Sequence, residues 1–390
     1  MDPNEKLSLK HRTMRRIRRR REISPLWYLG AALLLIGVCA LLKVFPLEKE
    51  AVEYDGLAGT GKYTATFTGN INSVGDGEVI DAKGYEEYFA GVKDIFEKSD
   101  LVSVPINVPI IEDNVETYKS GMSVKFAERY FNSEFPTALF DVGVKDATIC
   151  NKDIFLYGSK GALETSRQLE MAHASVVNGP QDAGGILVSG LDPSASADAA
   201  VYSRITDEES GVTILHVGIE ASDDRLRGYG SYDVRTYNDR DNNLVRDITD
   251  LREQNPEAFI AVTVSWAEHY LLKPSSYMKN LCRQLIDCGA DLVIGTGIQM
   301  VLSAEKYGNG YIFYGLGNLV ANEGYTMTQR GALLNVIFGE DGGVTYEVVP
   351  LSVKNGYPKV TDSKLILKTL VSDIGSGADY TIENGKLIIK

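Results

Sequence analysis

One stretch limits this chain more than any other. Leu26–Leu42, LWYLGAALLLIGVCALL, is a run of seventeen residues without a charge. In hydrocarbon every backbone N–H and C=O must be satisfied within the segment, so an isolated run of this kind can only be a helix. Its length is the lower limit of the roughly 17–25 residues that cross a bilayer core. Ile23, Val44 and Phe45 extend it, Lys43 can snorkel, and Trp27 and Tyr28 sit where an interfacial aromatic belt lies. Residues 1–24 carry nine Lys and Arg against Asp2, Glu5 and Glu22. The positive-inside rule then makes 1–24 a basic cytoplasmic tail, 25–46 a transmembrane helix in membrane lipid, and everything from about residue 47 extracytoplasmic. Arg15 to Arg21 would face the anionic inner leaflet. A cleaved signal peptide fits less well, because the apolar run is longer than the usual roughly 7–15 residues and no A-x-A site follows. Lipidation at Cys39 lacks a small preceding residue, since Val38 stands there.

Charge separates the two parts. The whole chain is at −13, and removing residues 1–24 leaves 31 basic against 50 acidic residues. An acidic body is a poor partner for nucleic acid, and the short basic run is accounted for by the membrane. The composition, 44% hydrophobic and 24% charged, is that of a packed globular protein. Cys150, Cys282 and Cys288 form no CxxC pair and read as free, buried thiols.

Residues 47–61 are polar and Gly-containing and read as a linker. Beyond them short apolar runs alternate with helix-length segments. KYTATFTGN from Lys62, LVSVPI (101–106), KDATIC (145–150), VTILHVGIE (212–220), AFIAVTVSW (258–266), ADLVIG (290–295) and GYIFYGLGN (310–318) read as strands. Residues 84–100, 160–174 and 273–289 read as helices, the last with Pro274 in its first turn and Gly289 just past its end. The alternation predicts an α/β domain with helices covering a largely buried sheet. Residues 221–247 are acidic and rich in Gly and Asn, and read as an exposed insertion. Its NDRDNN lacks the Gly and terminal Glu of an EF-hand loop, so a calcium-sensing role has little support. Residues 356–390 form a C-terminal extension in which Asn384-Gly385 predicts a β-hairpin. There is no nucleophile elbow, P-loop or dinucleotide fingerprint.

Set side by side, the strand ends read FTGN, DLVSVPINVPI, GVKDATICNKDIFLYG, VTVSWAEHY, DLVIGTGIQMV and FYGLGNL, in that order. Together they resemble the capsule-synthesis CapA family, the poly-γ-glutamate capsule biosynthesis proteins. The resemblance covers roughly residues 62–350. It implies a metallophosphatase-like fold, a four-layer α-β-β-α sandwich, placed after the transmembrane helix. It also implies a site where the family has metal ligands, and at those positions this chain differs. Gly69-Asn70 stands where the family has Gly-Asp, and Pro105-Ile106-Asn107 where it has Asn-Leu-Glu. Cys150-Asn151-Lys152-Asp153 stands for Ala-Asn-Asn-His, with Leu156 and Gly158 at its following Asp and Gly. Ser265-Trp266-Ala267-Glu268-His269-Tyr270 stands for His-Trp-Gly-x-Glu-Tyr. Gly295-Thr296-Gly297-Ile298-Gln299 stands for Gly-x-His-Pro-His, and Gly315-Leu316-Gly317-Asn318-Leu319 for Ser-Leu-Gly-Asn-Phe.

Two-metal hydrolysis needs carboxylates and neutral imidazoles around cations roughly 3.5–4 Å apart. Asn, Gln and Ser offer neither charge nor a soft donor. The expectation is therefore a domain with no metal and no cofactor. Its cleft, lined by Asn70, Asn107, Asn151, Ser265, Trp266, Thr296, Gln299 and Asn318, would serve binding or scaffolding. Asn151 and Asn318 could bond a ligand or equally brace their turns. The partners implied by the resemblance are the proteins of capsule or cell-surface polymer machinery. An alternative is an active hydrolase or transferase on polyglutamate or a phosphoester, with a site rebuilt around Asp153, Glu268 and His269. His216, inside an apolar strand, is expected to be a hydrogen-bonded core residue, and His173 to sit late in a helix.

Overall fold

The computed structural model describes residues 30, 33–34, 54, 56, 61–72, 84–111, 130–172, 187–189, 202–221, 236–237, 243–266, 270–322 and 325–390. The chain divides into two compact units, Met1–Lys49 and Glu50–Lys390. In the first, Gly30, Leu33 and Leu34 are helical, and the rest of the expected span 25–46 lies outside the described residues. Among the described residues no helix is long and apolar enough to cross a membrane.

The second unit is built on two sheets. Strands β1 (Tyr63–Phe67), β3 (Leu101–Pro105), β4 (Val144–Thr148), β5 (Leu187–Ser189), β14 (Arg330–Phe338), β15 (Val344–Lys354), β16 (Tyr357–Val360), β17 (Tyr380–Glu383) and β18 (Lys386–Ile389) form one. Strands β6 (Tyr202–Thr206), β7 (Thr213–Ala221), β8 (Thr236–Tyr237), β9 (Phe259–Trp266), β10 (Leu292–Thr296), β11 (Ala304–Tyr307) and β12 (Gly310–Phe313) form the other. A small ladder of β2 (Asn70–Ile71) with β13 (Asn318–Val320) joins two loops at the strand ends. Helices α1 (Lys93–Phe96), α2 (Phe135–Asp141) and α3 (Gly158–Glu170) lie on the first sheet. Helices α4 (Asn243–Gln254) and α5 (Ser276–Asp287) lie on the second, and α6 (Lys364–Leu370) closes an edge of the core between the sheets.

The period of two along each strand builds these layers. On β9, Phe259 and Ala261 enter the core between the sheets, while Ile260, Val262, Val264 and Trp266 pack against α4 and α5. On β10, Leu292 and Ile294 face inward and Val293 faces the helices. Three apolar cores therefore alternate with two sheets, and this is the four-layer order. Each large aliphatic side chain fully buried in them contributes on the order of 1.5–3 kcal/mol.

Several expected elements differ in detail. The helix expected over 84–100 is a 3₁₀ turn, Tyr85–Phe89, followed by the single turn of α1. Gly91 divides them, and a Cβ there would lie 2.1 Å from the Pro358 carbonyl oxygen of β16. Pro274 precedes α5, whose N-cap is Ser275 accepting from the Met278 N–H. The strand expected over 310–318 is two strands in different sheets, β12 and β13, separated by a turn in which Gly317 takes φ 69°. The end of the segment read as an insertion, from Asn243, begins α4. Asn384 and Gly385 take φ 50° and 77°, as a tight hairpin requires, and β18 pairs with β15 of the main sheet. Tyr54 and Gly56, within the stretch read as linker, are tied to the domain: Tyr54 donates to Glu347 at 2.9 Å, and Lys386 donates to the Gly56 carbonyl. Cys150 and Cys282 are buried and Cys288 is half-buried, all free thiols; Cys39 lies outside the described residues.

Candidate functional site

The inward faces of the strands change character along their length. β9 runs Phe259, Ala261, then Thr263, Ser265; β10 runs Leu292, Ile294, then Thr296; β7 carries Ile214, then His216 and Glu220. In the facing sheet, β3 turns from Leu101 to Ser103, and β4 ends in Asp146 and Thr148. Within each sheet these strands run parallel to one another. The polar residues therefore gather at the carboxyl ends of both sheets, where α/β folds place ligands.

At that end sits a cluster of side-chain amides. Asn70, 1% exposed, accepts through Oδ1 from Asn107 Nδ2 at 3.0 Å, from the Gly297 N–H at 2.7 Å and from the Thr296 hydroxyl. Its Nδ2 donates to Asn318 Oδ1 at 3.1 Å, and Asn318 Nδ2 donates to the Thr328 carbonyl at 2.9 Å. Beside them Asn151 Nδ2 donates to Ser265 Oγ at 3.1 Å, and Asn151 Oδ1 accepts from the Asp153 N–H at 2.8 Å. Backbone groups fix these amides: an N–H can only donate and a C=O can only accept, so neither Asn70, Asn151 nor Asn318 can be turned over without loss. Glycines admit the close approach. A Cβ on Gly331 would fall 1.9 Å from the Asn318 carbonyl oxygen, and one on Gly297, at φ 80°, would fall 3.1 Å from Ser265 Oγ.

Of the residues expected here, Asn70, Asn107, Thr296 and Asn318 form one hydrogen-bonded cluster, and Asn151 and Ser265 form a pair next to it. Trp266 does not join them. It follows Ser265 on a strand, so it faces the helix layer, where its indole donates to the Tyr314 carbonyl at 3.1 Å. Gln299 is half-buried at φ 61°, and its Oε1 is buried with no hydrogen-bond partner. Asp153 is half-buried in the 3₁₀ turn Lys152–Tyr157. Glu268, His269 and His173 lie outside the described residues.

Beneath the amides lies a second network that the sequence reading did not assemble. Asp146, fully buried, accepts at Oδ2 from Ser103 and from His216 Nδ1, each at 2.5 Å, and at Oδ1 from Ser203 at 2.5 Å. His216 Nε2 meets Thr263 Oγ1 at 2.7 Å. Burial alone would raise the Asp146 pKa. The adjacent His216 ring and three hydrogen bonds outweigh it and hold the carboxyl below its ordinary range. Asp146, His216 and Thr263 have the connectivity of a hydrolytic triad, carboxylate to imidazole to hydroxyl. The space beside them is small, a cavity of about 10 Å³ that matches one water, and Thr263 is itself buried. His216 is thus the hydrogen-bonded core residue expected. Glu220, 5% exposed and opposite Ser265 in the ladder, was missed as a site neighbour. The signal was present in an acid closing the apolar run VTILHVGIE. Burial and the charge of Glu220 raise the Cys150 thiol to about 12.

Could these residues hold the two cations that the resemblance implies? Among the described residues no three of His, Cys, Asp or Glu lie together as a metal would require. More tellingly, Asn70 Oδ1 is filled by three protein donors, Asn151 Oδ1 and Asn318 Oδ1 each already accept from the protein, and the NH₂ groups of all three are engaged with protein acceptors. That donor set does not fit a dinuclear centre.

The profile of the bacterial capsule synthesis protein family PGA_cap matches residues 64–323. The chain is 25% identical over 385 residues to the capsule biosynthesis protein CapA of Bacillus anthracis, covering 93% of this chain and 86% of that protein. It is 25% identical over 323 residues to the PGA biosynthesis protein CapA of Bacillus subtilis (strain 168), covering 80% and 77%. Among solved structures it is similar to Haemophilus influenzae NAD nucleotidase (NadN), at 13% identity and TM-score 0.42 over 79% of this chain and 61% of that one. It is also similar to a hypothetical protein of Thermus thermophilus, at 12% identity and TM-score 0.40 over 76% and 97%. Neither structural likeness is close enough to bear on function.

Proposed function

Because the chain belongs to the bacterial capsule synthesis family PGA_cap, we propose that it takes part in making or exporting a capsule of poly-γ-glutamate or another anionic surface polymer, as a non-catalytic member. In this reading residues 25–46 anchor it in the membrane, Arg15 to Arg21 meet the inner leaflet, and residues 62–355 act outside the cell by binding or scaffolding. The observation that carries the non-catalytic part is the self-satisfied amide cluster. Asn70 Oδ1 receives three protein donors and Asn318 Oδ1 receives Asn70, so the groups at the ligand positions bond each other. The acidic outer domain is a poor direct grip for a polyanion, which favours a protein of the polymer machinery as the partner.

The test has two arms. The full chain is incubated with Mn²⁺, Zn²⁺ and Mg²⁺, desalted, and its metal measured by plasma mass spectrometry. Less than about a tenth of an equivalent is expected; one or two tightly held equivalents would reverse the assignment, because bound metal adds binding energy that a real site cannot hide. In the second arm a capsule-forming strain lacking its own CapA is complemented with this chain and with Asn318→Ala. Restored capsule with the parent chain supports the role in capsule synthesis. Accumulation of cleaved polymer instead would point to the hydrolase.

A further inference from the structure

Thr148 ends β4 and is 1% exposed. Its Oγ1 is buried and meets no protein oxygen or nitrogen. The Cys150 thiol is its one side-chain partner, and sulfur is a weak acceptor that leaves most of the hydroxyl's hydrogen-bonding capacity unused. Such groups are rare in folded proteins, and each one asks for an explanation. The hydroxyl lines the cavity of about 10 Å³ between the sheets, together with Thr68, Ser103, His216, Thr263 and Thr296. That volume matches one water, which needs roughly 10–15 Å³ and two to four polar partners. The lining supplies hydroxyls and an imidazole. It supplies no carboxylate, and Asp146 nearby has both oxygens occupied. The chemistry therefore suits a neutral guest rather than a cation.

We propose that this cavity is a built site for one ordered water, which bonds Thr148 Oγ1 and joins the Asp146–His216–Thr263 chain of the core to Thr296 and the amide cluster of the candidate site. Thr296 already donates its proton to Asn70 Oδ1, so its lone pairs remain to accept from the water. Thr263 is bonded to His216 on one side and can meet the water on the other. The water would then bridge the two sheets below the amides. It fixes Thr296, and through it Asn70, from underneath. This inference is independent of the capsule role.

Two measurements decide it. A crystal structure of the full chain at about 1.3 Å should show one peak within about 2.6–3.2 Å of Thr148 Oγ1 and of a second lining hydroxyl. A dry cavity would overturn the proposal. So would a peak that gains electrons after a Tl⁺ soak, which marks a cation. The second is Thr148→Val, which keeps the shape and removes the hydroxyl. If the hydroxyl is truly orphaned, losing it relieves a buried unsatisfied group, and Tm rises by about 2–4 °C. If a water satisfies it, Tm stays level or falls, because the water loses a partner. A rise refutes the site; a level or lowered Tm supports it.

Discussion

Asn70→Asp is the most informative single change, because it restores at one atom the charge that the resembled family carries there. The new carboxylate keeps the three donors on Oδ1: Asn107, Thr296 and the Gly297 N–H. At the other position an oxygen replaces Nδ2 and faces Asn318 Oδ1 across 3.1 Å. Asn318 cannot turn to help without giving up its bond to the Thr328 carbonyl. Two acceptors then oppose each other in a buried place, which costs about 1–3 kcal/mol before the charge is considered. The protein can escape by keeping the new acid protonated, so that it donates as Asn70 does. At pH 7 that escape costs about 4 kcal/mol, from 1.36 kcal/mol for each pH unit above an ordinary Asp value of about 3.9. The loss at pH 7 is therefore bounded at about 1–4 kcal/mol. The sign follows: the folded-state pKa of this acid is raised above the unfolded one, so the penalty is absent below about pH 4 and grows as pH rises toward the folded value. Urea unfolding of the parent chain and Asn70→Asp at pH 4, 5.5 and 7 reads this directly. A gap under about 0.5 kcal/mol that ignores pH would mean that Asn70 is not held as described. A gap that Mn²⁺ closes would mean that a cation site survives among these residues, and the amide-cluster argument would fall.

Two further outcomes follow from buried charge. Asp146→Asn leaves His216, Ser103 and Ser203 without their carboxylate and should destabilise the chain by about 3–5 kcal/mol near neutral pH. Because the folded Asp146 pKa is depressed, that difference should be full above about pH 4 and vanish as pH falls through the lower folded value, which a pH series of urea midpoints will show. Lys386→Ala leaves Glu347, whose side chain is 0% exposed, with its hydrogen bonds from Tyr54 and Asn335 but without its cation, and releases the Gly56 carbonyl. It should cost about 3–5 kcal/mol and speed proteolytic cutting near residues 54–60, whereas a digestion pattern unchanged from the parent would show that the segment is held by other contacts.

The layers were legible in the sequence because burial on both faces leaves a simple trace: runs without a charge and mostly apolar, such as FIAVTVSW and LVIGT. The hairpin at Asn384-Gly385 was legible for a local reason, the positive φ that those residues accept. The cluster's membership was legible only through resemblance, since nothing local marks Asn70 and Asn318 as neighbours across 248 positions. Two things escaped. Tertiary approach accompanies breaks in regular elements, as at Gly91, where the Pro358 carbonyl lies where a Cβ would be and a segment with helical periodicity is divided in two. The Asp146–His216 pair escaped because its members lie on different sheets, and a lone imidazole in an apolar strand carries no sign of its partner. The trace that was available is finer: on β3, β7, β9 and β10 the inward alternation turns from apolar to polar along the strand, and β4 presents Asp146 and Thr148 beside them. Counted together, those turns mark the functional end of the sandwich without any motif.

The same cluster explains why a site of this kind tolerates being all amide more readily than half amide. Carboxylates facing one another need a cation between them, or they must take up protons. Amides facing one another need nothing further, since each brings both donor and acceptor. A single carboxylate among amides is the poor case, because it meets an acceptor that it cannot bond. Substitutions at Asn70 and Asn318 should therefore be coupled rather than additive, as for any groups that share a hydrogen bond. In a double-mutant cycle, Asn70→Ala and Asn318→Ala should each leave the other amide short of a partner, at about 1–3 kcal/mol apiece. The pair together should cost less than the sum, because the second truncation removes the group that the first had orphaned. Strict additivity would show that the two amides are held separately by their backbone contacts, and that the cluster is a set of neighbours rather than one bonded unit.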